Sequence, residues 1–255
     1  MTVVPVLGYH SIGNEPWDGT LRWTVSPGDF QEQMALLHER GRTPLTVREY
    51  AALLRRQAPL PPRPVVVTFD DGFADLVTAA LPVLRRYEIR ATAYVITARL
   101  GAPPALNPGQ LAELRDTGVE IGSHSDTHRP MDTLPPAALR HETRMSRARL
   151  EACLQEPVTS FAYPYGYHSR AVRQAVLDAG YTSACAVKNA LSHPGDDLFA
   201  IARVLVERTT GAAGVDDLLA GRGHPLSWRG ERLRTRGWRA YRRMRNRLDR
   251  VGEPR

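Results

Sequence analysis

The stretch PVVVTFDDG, residues 64–72, reads as a short β-strand that runs out into two adjacent carboxylates and a turn-forming glycine. Similar short apolar runs recur on either side of it, at 3–9, 91–96, 119–123, 160–163, 182–187 and 201–206. Helical patterns lie between them, at 28–40, 47–56, 74–85, 108–117, 136–154 and 169–180. The first has clear boundaries, with Ser26 as N-cap, Pro27 in the first position and Gly41 at the far end. Strands alternating with helices make βαβ units, so the class is α/β with a mostly parallel sheet. Seven strands of this kind build either an incomplete barrel or an open doubly wound sheet. Both collect their chemistry at the carboxyl ends of the strands. There the chain places His10, Asp70 and Asp71 with Gly72, His124, and Pro164-Tyr165-Gly166.

Composition excludes several classes. The 255 residues are 42% hydrophobic and 24% charged, which fits a globular chain and neither a disordered nor a collagenous one. No run of 18 apolar residues is present, which argues against a membrane-spanning helix. The two cysteines, Cys153 and Cys185, form no C-x-x-C pair, and buried free thiols are expected, with one disulfide as the alternative. The net charge of +7 is unevenly placed, and Lys188 is the only lysine. Residues 222–255 hold twelve arginines against three acids, a net of +9, so residues 1–221 carry −2. This predicts a main domain over 1–221 and an arginine-rich tail over 222–255.

Two like charges held together raise one pKa unless a cation compensates. A divalent metal that binds one of the Asp70–Asp71 carboxylates and leaves the other as a general base resolves this. An Asp-Gly turn with exposed acids is the plainer alternative. In His124-Ser125-Asp126-Thr127-His128, histidines four apart can supply two nitrogen ligands. Ser125 stands where a zinc-protease helix has glutamate, and Pro130 disfavours a helix, so the pair belongs to a bend or to a plain polar loop. With Asp71 the two histidines leave a coordination position open for water, the catalytic arrangement for zinc. In the segment 161–166, proline fixes the backbone and glycine allows close approach, so the Tyr165 N–H can face a reacting oxygen. A simple aromatic turn is the alternative there. The nucleophile elbow and the P-loop are both absent.

Taken in order, 68–72, 124–128 and 163–166 resemble the polysaccharide deacetylases with a NodB-homology domain, the family-four carbohydrate esterases. The resemblance runs from about residue 3 to about residue 219 and includes the opening Leu7-Gly8-Tyr9-His10-Ser11-Ile12. It implies a distorted (β/α)7 barrel and metal-dependent hydrolysis of N-acetyl groups on an amino sugar or glycan. By motif position it implies Asp70 as general base and Asp71, His124 and His128 as metal ligands. Tyr165 would be the oxyanion donor, with Tyr163, Pro164 and Gly166 at the substrate. The implied cofactor is a divalent metal, zinc first, with cobalt, nickel and manganese as alternatives.

Two departures stand out. Many members carry an arginine that braces the base where this chain has Ala162, a form closer to the branch acting on poly-N-acetylglucosamine. Arg203 is the candidate replacement, with a purely folding role as the alternative. The late Leu-x-His of the family is missing, and His224 fits its place poorly. His10 is expected in the site instead, as acid, substrate contact or brace. Two alternatives remain beside the deacetylase: a deformylase or deacylase of a lipid-linked or small amino sugar, and a catalytically silent glycan-binding module.

Residues 228–251 read as a helix interrupted at Gly237, with Trp238, Tyr241, Met244, Leu248 and Val251 in one apolar stripe among arginines. That pattern suits an anionic membrane surface. The bland alternative docks the stripe on the barrel and leaves the arginines solvated. Nucleic-acid binding is the weakest reading, since no nucleic-acid fold accompanies the arginines. The first ten residues lack the features of an export signal, which predicts a cytoplasmic protein, peripheral at the inner membrane surface.

Overall fold

The computed structural model describes residues 2–17, 19–230, 235, 237–242 and 244. The apolar runs form β1 (Val6–Tyr9), β5 (Pro64–Phe69), β6 (Ala91–Val95), β7 (Glu120–Ser123), β8 (Ser160–Ala162), β9 (Ser183–Val187) and β10 (Ile201–Leu205). These seven are parallel and close on themselves. The order runs β1-β10-β9-β8-β7-β6-β5, and β5 pairs back with β1 from Val6↔Val66 to Tyr9↔Phe69. The ring is weakest where β7 meets β8 through Ser123↔Phe161 alone, and this distorts the barrel. The fold is therefore the closed α/β barrel that the resemblance implies, not an open sheet.

Three short strands escape the sequence pattern. β2 (Ser11–Ile12) and β3 (Thr24–Val25) pair with each other beyond β1, and β4 (Thr43–Leu45) pairs with the start of β5. The helices α1 (Pro27–Glu39), α2 (Val47–Arg56), α4 (Pro108–Asp116), α5 (Pro136–Leu154) and α6 (Arg170–Asp178) lie close to their expected places. Ser26 caps α1 by accepting from the Asp29 N–H at 3.1 Å, and α2 and α4 carry reciprocal capping boxes, Thr46 with Glu49 and Asn107 with Gln110. The expected helix at 74–85 instead opens as a π-helical turn, Leu76–Ala80, before α3 (Leu81–Arg86). Pro82 has no N–H to return to the carbonyl four residues back, so regular winding is lost ahead of it. An unexpected α7 (Ala212–Leu219) buries Val215, Leu218 and Leu219 and packs on α1.

Strand residues alternate between two cores. From β5, Val65, Val67 and Phe69 point outward to the helices, among Phe30, Met34, Leu114 and Phe161. Val66 points inward with Tyr94, Ala162, Cys185 and Ile201, and Val47, Tyr50 and Ala51 of α2 pack on that inner cluster. Thr68 and Asp70 continue the inward row toward the carboxyl end. Cys185 is buried as expected, but Cys153 is exposed, because its position on α5 faces solvent. The expected helix does not begin at Trp228, since residues 228–230 are not helical; the described residues within 235–244 are helical, Gly237 included. Leu248, Val251 and the arginines at 243, 245, 247 and 250 lie outside the described residues. Among the described residues, no helix is long and apolar enough to cross a membrane.

Candidate active site

Beyond Phe69 the chain turns through two left-handed residues, Asp71 at φ 70° and Gly72 at φ 71°. In an extended strand the two acids would face opposite ways; this turn brings both to the barrel mouth. A Cβ on Gly72 would also press on Val95 at 3.1 Å, so glycine is required there.

His124 follows β7, and its Nδ1 lies 2.8 Å from the Ala162 carbonyl, which directs Nε2 toward the acids. That Nε2 is 3.7 Å from Asp71 Oδ1 and 3.8 Å from Asp70 Oδ2. The following bend places Ser125 and His128 at φ 64° and 60°, and the Ser125 hydroxyl accepts from the His128 N–H at 3.0 Å. His128 Nε2 then reaches 3.4 Å from Asp71 Oδ1. Ligand atoms of Asp71, His124 and His128 all lie within 4.8 Å of one another.

The donor set fits a divalent metal. Asp71 Oδ1 is buried without a hydrogen-bond partner among the described residues, although it sits between two imidazoles. Burial pushes the Asp71 carboxyl up. Burial, with the His124 and Arg99 charges, pushes His128 down to about 2. A neutral imidazole beside a carboxylate oxygen that lacks a donor is an arrangement completed by a cation.

Asp70 lies beside this trio and is held from β10, which stands on the other side of β1 in the ring. Arg203, fully buried on β10, donates from Nη1 to Asp70 Oδ1 at 2.6 Å and from Nη2 to Oδ2 at 2.8 Å. It also reaches the Thr68 hydroxyl at 3.1 Å, and its guanidinium lies 5.5 Å over the Tyr94 ring. Burial alone would raise the Asp70 carboxyl, but the Arg203 charge and hydrogen bonds, with His124 and His10, hold it below the carboxylate range. Ala162 faces the same interior, so this chain supplies from β10 the arginine that β8 lacks.

The open side is a cleft of about 1030 Å³. Its walls include Trp17, Trp23, Arg99, Tyr165, Tyr167 and Asn189. His10 lines it too, stacked on Trp23 at 5.3 Å, with its Nδ1 buried and unpartnered among the described residues. Burial lowers the His10 pKa, more than Asp70 raises it. Tyr165 adopts φ 59°, and its ring lies 4.7 Å from the His128 ring. The Tyr163, Gly166 and Tyr167 N–H groups all bond within the chain, which leaves the Tyr165 N–H as the remaining donor of this turn. Gly166 lines the cleft, and a Cβ there would collide with Val187 at 2.5 Å.

Tyr163 and Pro164 do not line the cleft. Tyr163 continues the outward row of β8, stacks on His168 at 4.8 Å and donates to the Phe199 carbonyl at 3.0 Å. It is fully buried in the outer core and Pro164 is buried in the turn, so both shape the site from behind.

The family model for polysaccharide deacetylase matches residues 57–184, half of the chain, and spans the strands that carry Asp70, Asp71, His124 and His128. This chain belongs to the polysaccharide deacetylases. A Bacillus subtilis relative named for that activity, YxkH, is 28% identical over 80% of this chain and 71% of its own. The poly-β-1,6-N-acetyl-D-glucosamine N-deacetylase of Staphylococcus aureus is 23% identical over 72% of this chain and 68% of its own. Among solved structures, the Streptococcus pyogenes deacetylase PplD superposes with a TM-score of 0.79 at 22% identity, over 86% and 98% of the two chains, a likeness of fold. IcaB from Ammonifex degensii gives 0.76 at 25% identity, over 85% and 97%.

Sequence reading of this polysaccharide deacetylase missed the cleft aromatics and Glu142. Trp17 and Trp23 fall in a loop that follows a barrel strand, a usable signal. Glu142 of α5 accepts the Asp126 and Thr127 N–H groups at 3.0 and 2.8 Å and the Thr127 hydroxyl, and so fixes the bend between the histidines. Its signal is an acid on the same helix face as Leu139, Ser146 and Leu150.

Proposed function

We propose that this polysaccharide deacetylase is a metal-dependent hydrolase that removes N-acetyl groups from an N-acetylglucosamine-containing glycan. The observation that carries the reading is the Asp71–His124–His128 trio beside an Asp70 that Arg203 keeps ionised. A divalent cation, with zinc the first candidate, would supply Lewis-acid charge that makes water acidic and polarises the amide carbonyl.

The chain's own residues do the rest. Asp70 accepts the proton of the attacking water as the new C–O bond forms. Its low basicity would suit this role with the water acidified by that cation. The Tyr165 N–H faces the developing oxyanion, and the C–N bond breaks as the proton taken up by Asp70 passes to the amine nitrogen. His10 lines the cleft as a contact to the sugar or the leaving amine. Trp17, exposed at the cleft, offers a face on which a sugar ring stacks. A silent glycan-binding module would have no use for a buried, braced carboxylate beside a metal trio, which weighs against that alternative.

The test is acetate release from β-1,6-linked N-acetylglucosamine oligomers by the zinc-loaded chain, alongside N-formyl and lipid-linked amino sugars. Acetate from the oligomers supports the proposal. Bound zinc with no acyl release from any of the panel overturns it.

A further inference from the structure

The tail helix meets the barrel in the reverse of the usual amphipathic sense. Arg239 and Arg242 turn inward: Arg239 donates to Asp132 at 3.3 Å and to the His168 carbonyl at 3.3 Å, and Arg242 also bonds Asp132, which is buried. The Arg242 guanidinium lies 3.7 Å over the ring of Tyr167, a wall of the cleft. The aromatics turn outward. Trp238 and Tyr241 stack at 5.2 Å, and Trp238, Tyr241 and Met244 are 50%, 45% and 55% exposed.

These side chains have company. Of eight exposed large hydrophobics among the described residues, Trp17 and Tyr165 line the cleft, and Leu21 lies in the same loop between cleft residues Thr20 and Arg22. Six of the eight thus gather around the barrel mouth and the helix docked beside it, a concentration that marks an interaction surface. By sequence, residues 222–255 carry +9 while residues 1–221 carry −2. Trp and Tyr with Met and Leu, on a chain whose tail is net basic by sequence, match a partner that is anionic at its surface and apolar just beneath. A polyanion such as a nucleic acid or acidic glycan would satisfy the arginines but leave Leu21 and Met244 unrewarded.

We propose that this face docks on an anionic phospholipid bilayer, which sets the mouth of the barrel against the membrane. The ion pairs to Asp132 hold the tail helix in the orientation that turns its aromatics away from the protein. The inference rests on the surface alone and stands apart from the chemistry at Asp70.

The test is flotation of the full chain with vesicles of phosphatidylcholine mixed with phosphatidylglycerol, and with phosphatidylcholine alone. The wild-type chain should float with the first and not the second, and added salt should release it. The full-length Trp238→Ser/Tyr241→Ser/Met244→Ser variant should lose about tenfold or more in partitioning with an unchanged thermal melt. Leu21→Ser, on the barrel itself, should weaken partitioning in the same direction. Flotation of the triple variant equal to wild type, equal flotation with both vesicles, or retention by an oligonucleotide or heparin without flotation would each overturn the proposal.

Discussion

Arg203 and Asp70 form a bidentate ion pair with both members buried, 133 residues apart in sequence. Removing one charge from such a pair leaves the other uncompensated in the interior, which costs about 3–5 kcal/mol. The replacement Asp70→Asn therefore carries two penalties that can be separated. It should lower the rate of deacetylation more than about 100-fold, because the proton acceptor is gone. It should also lower the melting temperature, because Arg203 keeps its charge with a weaker partner. Adding Arg203→Met to Asp70→Asn should recover part of the stability and none of the activity. Acetate release and calorimetry on the two variants check both halves. Full activity in a folded, metal-loaded Asp70→Asn chain would remove the general-base assignment.

At the scale of elements, the bend after β7 is held from outside by α5. Glu142 satisfies two backbone donors and a hydroxyl in the loop that aims His124 and His128 at Asp71. Replacing it with leucine orphans those donors, and loss of such outer support typically weakens metal affinity about 10–100-fold. Glu142→Gln keeps a carbonyl oxygen for the two N–H groups and should lose far less. Competition with a chromophoric chelator reads the difference; equal affinity in both variants would show that the bend holds itself. This element also marks where sequence reading stops. Barrel strands are legible because continuous apolar runs end abruptly in polar residues, as Val65 to Phe69 end in Asp70. A left-handed backbone at Asp71, Ser125, His128 and Tyr165 is not, since none of these is glycine and only tertiary contacts impose it. Tyr163 and Tyr165 look equivalent in sequence, yet strand alternation and the turn send one to the core and the other to the cleft. The tail shows the same limit: periodicity reveals an apolar stripe, but buried Asp132 decides that Arg239 and Arg242 face inward.

For the molecule as a whole, the mouth of the barrel is where distant strands are tied together. Asp70 joins β5 to β10 through Arg203, His124 joins β7 to β8 through the Ala162 carbonyl, and the trio itself spans β5 and β7. A cation held by that trio meets its complete ligand set only in the closed barrel, so its binding free energy adds to folding stability. At a free metal concentration 100 times the dissociation constant the gain is about 2.7 kcal/mol. For a chain of this length each kcal/mol moves the midpoint by about 2–4 °C, so loading should raise the melting temperature by about 5–10 °C. Asp71→Asn should abolish most of that rise, because it removes the negative charge of the ligand that both histidines face. The triple tail variant should keep it in full, because Trp238, Tyr241 and Met244 touch none of the ligands. Thermal melts with zinc, with chelator, and on both variants test the assignment without any substrate. Coincident melting of the stripped and loaded wild-type chain would mean that the trio is not a metal site.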